Sequence, residues 1–139
     1  MQVALTDFNK AGVSSVVFGD IHLEDVRKYR EDNLYKAGMK AIFPIWGRDT
    51  AELSRSFIDL GFKAIVTCVD SKVLDKTFAG RIIDESFMAQ LPANVDPCGE
   101  NGEFHSFVFD GPVFNRRIQY TVGQIVLRDS FYFCDLIPA

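Results

Sequence analysis

Between residues 13 and 69 the chain switches repeatedly between short β-branched runs and helically spaced apolar positions, with glycine at the joints. That alternation constrains the fold more than any other feature. Val13 to Phe18 is a β-branched and aromatic run that empties into Gly19-Asp20, as a buried strand emptying into a loop does. Leu23, Val26, Arg30, Leu34 and Ala37 follow at helical spacing, and Gly38 stands where a left-handed residue ends a helix. Ala41 to Ile45 forms a second strand, interrupted by Pro44. Asp49-Thr50-Ala51-Glu52 then starts another helix in the manner of a capping box, with Leu53, Phe57 and Leu60 on its inward face and Gly61 at its stop. Ala64 to Val69 is a third strand. Strands alternating with helices predict right-handed parallel crossovers, hence an α/β fold with a doubly wound, mostly parallel sheet. Ahead of this, Ala4, Phe8 and Ala11 are helically spaced and Gly12 closes their helix, while Met1 and Gln2 supply no N-cap.

The texture changes near Pro92. After a short helix around Asp84 to Leu91, the strand candidates are Phe104 to Phe109, Ile118 to Tyr120, Gln124 to Leu127 and Phe131 to Leu136, with Arg128-Asp129-Ser130 turning the last pair. The expected organisation is a truncated α/β nucleotide-binding-like part over 1–91 and a small antiparallel β-rich subdomain over 92–139, in one compact unit. The 13 Phe and 4 Tyr crowd toward the C-terminal third, where they serve a core before they serve chemistry.

A formal charge of −4 gives no electrostatic reason to bind nucleic acid or an anionic membrane surface. Cys68, Cys98 and Cys134 are odd in number and widely spaced, which suits small buried thiols in a reducing compartment. No stretch approaches the ~20 apolar residues of a membrane span, so a cytoplasmic location is expected.

In open α/β sheets ligands bind beyond the carboxyl ends of the strands, which makes Asp20 the first polar candidate; its plain alternative is a loop carboxylate capping the next helix. Arg30 lies in the apolar stripe of its helix, so its guanidinium either snorkels outward or meets a carboxylate such as Asp20 or an anionic ligand. The most unusual stretch is Asp96-Pro97-Cys98-Gly99-Glu100-Asn101-Gly102-Glu103-Phe104, where two glycines space two carboxylates in a loop feeding a strand. Such carboxylates bind a cation or orient ammonia if they face a ligand, and otherwise decorate a solvated turn. Cys98 with His22 or His105 lacks a third orienting group, which argues against a nucleophile. Strand register decides which way His105 faces.

From Cys98 to Pro112 the sequence resembles the C-terminal signature of the diphthine–ammonia ligase (diphthamide synthase) family of PP-loop ATP pyrophosphatases. That pattern runs roughly Gly-Glu-Gly-Gly-Glu-(Tyr/Phe)-Glu-Thr, then apolar residues and Asp-Gly-Pro. Glu100, Gly102, Glu103, Phe104 and Asp110-Gly111-Pro112 match, whereas Asn101 stands in place of the usual glycine and His105-Ser106 in place of Glu-Thr. Gly19-Asp20-Ile21, Arg30, Pro44-Ile45-Trp46, Asp49 and Leu53 fall upstream in the family's order.

The resemblance implies an adenine-nucleotide α-hydrolase sheet in which ATP, with magnesium, adenylates a substrate carboxylate, after which ammonia displaces AMP and leaves an amide. The implied acceptor is a small molecule or a modified histidine of a protein, elongation factor 2 in the family, without nucleic acid or membrane. Carried over by position, Asp20 and Arg30 line the nucleotide side, Glu100 and Glu103 are catalytic, and Cys98, Gly99, Asn101, Gly102 and His105 belong to the substrate-binding loop; no metal ligand is assigned. The family's Ser-Gly-Gly-x-Asp-Ser loop does not occur in the 139 residues. The chain is therefore expected to be a fragment or short form of an ATP-dependent amide-forming ligase, inactive alone and prone to self-association. The competing expectation is a non-catalytic binding or interaction module that has lost ATP chemistry.

Overall fold

The computed structural model describes residues 2–139, so the expected uncapped start at Met1 lies outside the described residues, as does the side chain of Ala4. The chain forms two compact units, Met1–Arg48 and Asp49–Ala139.

The first unit contains α1 (Gln2–Lys10), β1 (Ser15–Val17), α2 (Glu24–Lys36) and β2 (Lys40–Ile42). β1 and β2 pair in parallel, Ser15 opposite Lys40 and Val17 opposite Ile42, as the strand–helix–strand pattern requires. Gly12 and Gly38 follow their helices with positive φ, and Leu34 and Met39 are buried where α2 turns back toward β2.

The second unit contains α3 (Thr50–Asp59), β3 (Lys63–Asp70), a 3₁₀ turn at Lys76–Phe78, α4 (Glu85–Gln90), β4 (Phe104–Asp110), β5 (Tyr120–Arg128) and β6 (Phe131–Pro138). Asp49 and Asp84 cap α3 and α4, their carboxylates accepting from the backbone N–H groups of Glu52 and Phe87. The four strands make an antiparallel sheet in the order β4-β3-β6-β5.

This order corrects the expected doubly wound sheet. The parallel part is two strands, and β3 is not its third member; it is an inner strand of the antiparallel sheet. Ile118 to Tyr120 and Gln124 to Leu127 are likewise not two strands: β5 is continuous, with a register irregularity between Val122 and Ile125. Leu60, placed inward by its spacing, is exposed, and Ser54 is the buried residue of α3.

β3 is buried along most of its length because the sheet packs against the 3₁₀ turn and α4. Val66, Val69, Leu74, Phe78, Phe87, Phe104 and Cys134 belong to one buried cluster, in which the Phe87 ring meets those of Phe78 and Phe104 edge-on, at 5.7 and 5.5 Å. β3 and β6 pair over only three positions, Cys68–Phe133, Val69–Tyr132 and Asp70–Phe131. Beyond that seam the segment Gly80–Ile83 bonds to Ala64 and Val66 in place of β6. The Asp129-Ser130 pair between β5 and β6 has positive φ at both residues, matching a two-residue primed hairpin turn.

Candidate functional site

In the first unit, β1 ends at Val17 and Asp20 follows in the loop toward α2. Arg30, two turns into α2, donates from Nε to Asp20 Oδ2 at 2.6 Å and from Nη2 to Oδ1 at 3.1 Å. Its guanidinium carbon lies 4.6 Å from the centre of the Phe18 ring. The inward arginine of the apolar stripe is thus explained by a fork-like pair with a half-buried carboxylate, laid on an aromatic face. A neighbouring stack was not foreseen: Arg27 lies 4.9 Å from the Phe43 ring and 4.6 Å from Trp46, and pairs with Glu31. Its only sequence signal is the proximity of Phe43 and Trp46 to a helix rich in arginine.

In the second unit the acidic glycine loop precedes β4 and is built around two carboxylates. Glu103 is buried, and its Oε1 accepts from the backbone N–H of Asp96 at 2.9 Å and from Asn101 Nδ2 at 3.0 Å. Its Oε2 accepts from the Asn101 backbone N–H at 3.0 Å. Burial pushes the Glu103 carboxyl up, but the hydrogen bonds from Asn101, Asp96 and its own backbone outweigh that and hold it below the ordinary glutamate value. Asp96 is the second hub: its Oδ1 accepts from the N–H groups of Cys98 at 2.8 Å and Glu100 at 3.3 Å, and its carbonyl accepts from Gly99. Gly102 N–H donates to the Gly99 carbonyl. The Asp-Pro pair ahead of a glycine is the signal that marks Asp96 as a turn-forming side chain.

Every backbone N–H from Asp96 to Gly102 is therefore used inside the loop, Pro97 having none. A glycine loop that cradles phosphate does the opposite and aims its N–H groups at the anion. The half-buried Glu100 carboxylate lies in the same turn, so the loop carries negative charge and directs none of these N–H groups outward. Gly99 fits its place because φ is +67° and a Cβ there would lie 2.8 Å from the Phe104 carbonyl oxygen.

Cys98 donates its thiol to the Thr50 carbonyl at 3.3 Å, tying the loop to the first turn of α3. Burial, reinforced by the negative charges of Asp96, Glu100 and Asp49, pushes this thiol up to about 11, so it stays protonated at neutral pH and is poorly suited to attack. His105 lies opposite Cys68 on β4 and is exposed; its carbonyl accepts from the Thr67 hydroxyl at 3.3 Å. Among the described residues no group of three or more His, Cys, Asp and Glu side chains could hold a metal ion, and no helix is long and apolar enough to cross a membrane.

Fold and site together define a small α/β protein whose second unit carries an acidic glycine loop at the head of an antiparallel sheet. The chain belongs to the diphthamide synthase C-terminal domain family, whose model matches residues 49–136, nearly the whole of that unit. It is 29% identical over 133 residues to a diphthine–ammonia ligase of Schizosaccharomyces pombe, covering 92% of this chain and 22% of that protein. It is 27% identical over 130 residues to the human diphthine–ammonia ligase, covering 89% of this chain and 48% of that protein. The mouse protein of the same name is 28% identical over 130 residues, covering 89% and 48%. The chain thus spans about a fifth of the yeast relative and about half of the mammalian ones.

Proposed function

We propose that this chain is the acceptor-side part of an amide-forming ligase of the diphthine–ammonia type, and that the loop 96–103 receives the nitrogen donor or the modified-histidine acceptor. The observation that supports this most directly is the inward use of every loop N–H, which makes an acidic loop unsuited to phosphate and better matched to an ammonium or other N–H donor. Glu100 and Glu103 divide the work. Glu103 acts by positioning, holding the loop shut from within, while Glu100 accepts the proton that ammonia must lose as it attacks an acyl carbon. Cys98, Gly99, Asn101, Gly102 and His105 shape the surroundings of that carboxylate.

The residues described here do not fit a nucleotide triphosphate. The glycine loop has no N–H to give it, Arg30 is paired with Asp20, and the sequence lacks the Ser-Gly-Gly-x-Asp-Ser segment. No step of ATP chemistry is assigned to them; in a complete cytoplasmic enzyme ATP, with magnesium, would activate the substrate's own carboxylate, and AMP would leave as ammonia attacks it.

The test is a chimaera in which this chain replaces the matching segment of the human diphthine–ammonia ligase. Diphthine-dependent AMP formation is expected, and Glu100→Gln should lower it by about 10²- to 10⁴-fold. A folded chimaera whose activity ignores that substitution would remove Glu100 from the mechanism. The inward-directed N–H groups of the loop also suit a second reading, a non-catalytic binding module. Magnesium-dependent pyrophosphate release from ATP by the 139-residue chain alone would eliminate it.

A further inference from the structure

Of the asparagines in the chain, Asn9, Asn33, Asn94, Asn101 and Asn115, only Asn101 is followed by glycine. That pair is the least durable asparagine context in a polypeptide, because glycine has no side chain to shield its main-chain nitrogen from the carboxamide one residue back. Once deprotonated, the Gly102 nitrogen attacks Asn101 Cγ. The new N–Cγ bond closes a succinimide, the Cγ–Nδ2 bond breaks, and ammonia leaves with the proton that Gly102 gave up. Water then opens either side of the imide, leaving aspartate or isoaspartate at position 101.

Crowding does not prevent this reaction in the folded loop. Asn101 is exposed, and beyond the chain neighbours no atom lies within 4 Å of the point where a Cβ on Gly102 would sit. Hydrogen bonds oppose it instead. The Gly102 N–H donates to the Gly99 carbonyl at 3.0 Å, which keeps its proton inside the turn. The Asn101 carboxamide donates from Nδ2 to Glu103 Oε1 at 3.0 Å, and the Asn101 N–H donates to Glu103 Oε2 at 3.0 Å. Glu103 thus grips both the side chain and the main chain of the residue that must turn for the ring to close. The products cannot restore this grip. Aspartate replaces the Nδ2 donor with an oxygen facing the buried Glu103 carboxylate, and isoaspartate lengthens the main chain of the turn by a methylene.

We propose that Asn101-Gly102 is a latent deamidation site, held unreactive by the closed loop and converted irreversibly once the loop opens, with Glu103 as its latch. This goes beyond the ligase reading and does not depend on it. The test is peptide mapping by mass spectrometry of the 139-residue chain incubated at mildly alkaline pH, folded and in urea, with isoaspartate scored at position 101. Deamidation of Asn101 should run roughly ten- to hundredfold slower in the folded chain than in the unfolded one. Folded Glu103→Gln should recover much of the unfolded rate, whereas Arg27→Gln, in the first unit, should leave the folded rate unchanged. Asn101→Asp, which stands for one product, should speed amide exchange at Asp96, whose N–H also rests on Glu103. Equal rates in the folded and unfolded chains, or a folded Glu103→Gln no faster than wild type, would overturn the proposal. The first comparison needs no substitution, so it decides the matter even if Glu103→Gln does not fold. Unchanged Asp96 exchange in Asn101→Asp would overturn the claim that conversion leaves the loop open.

Discussion

At the scale of single residues, the loop 96–103 is organised by carboxylates that stabilise N–H groups. Glu103 carries the larger share: it is buried, charged and met by three donors. Replacing it with glutamine turns an amide N–H₂ toward groups that are themselves donors, and Glu103→Gln is expected to cost about 1–3 kcal/mol in urea unfolding at pH 7. The pH dependence follows from the lowered carboxyl value. The folded group titrates below its unfolded value of about 4.3, so its stabilisation is complete above that value and is lost as pH falls through the lower, folded one. The stability difference between wild type and variant should be level above about pH 5 and shrink below about pH 4; a difference that grows toward acid would mean the sign is wrong. Sequence alone marked Glu100, Glu103 and the glycines, because acids and glycines are conspicuous in a loop. It did not reveal which carboxylate turns inward, since that depends on Asn101 and Asp96 reaching back across the turn.

At the scale of elements, helix limits were legible because their signals are local. Asp49 caps as its position suggests, a short helix does begin beside Asp84, and Gly38 and Gly61 follow their helices with positive φ. The placement of β3 was not. An inner strand covered on both faces has the same near-continuous apolar run whether its neighbours are parallel or antiparallel, so Ala64 to Val69 carried no information about direction. The Asp20–Arg30 pair shows the complementary case, where one polar residue in an apolar stripe announced a partner. Its side chains are 12% and 30% exposed, and Arg30→Gln leaves the carboxylate without its fork, at an expected cost of about 2 kcal/mol. In a double-mutant cycle, Asp20→Asn should add little once Arg30 has been changed; full additivity would show that the pair is not a unit.

At the scale of the whole molecule, the two-stranded sheet of the first unit has β1 and β2 each at an edge, and Val17 and Ile42 are 63% and 46% exposed. Short exposed strands with apolar side chains invite pairing, and concentration-dependent self-association is expected in light scattering. A monodisperse monomer across the tested concentrations would refute this. In the second unit, the β5–β6 hairpin joins the rest of the sheet through the three-residue seam, extended at its turn by the Ser71 N–H and hydroxyl donating to the Ser130 carbonyl. Measured as hydrogen-exchange protection, such a seam sets a boundary between cooperative units. Backbone amides within Tyr120–Arg128 and Phe131–Pro138 should become exchangeable together, at a lower opening free energy than those shared by β3 and β4. The hairpin then opens and closes as one flap that takes Cys134 out of the Phe87 cluster, while the β3–β4 pairing stays protected.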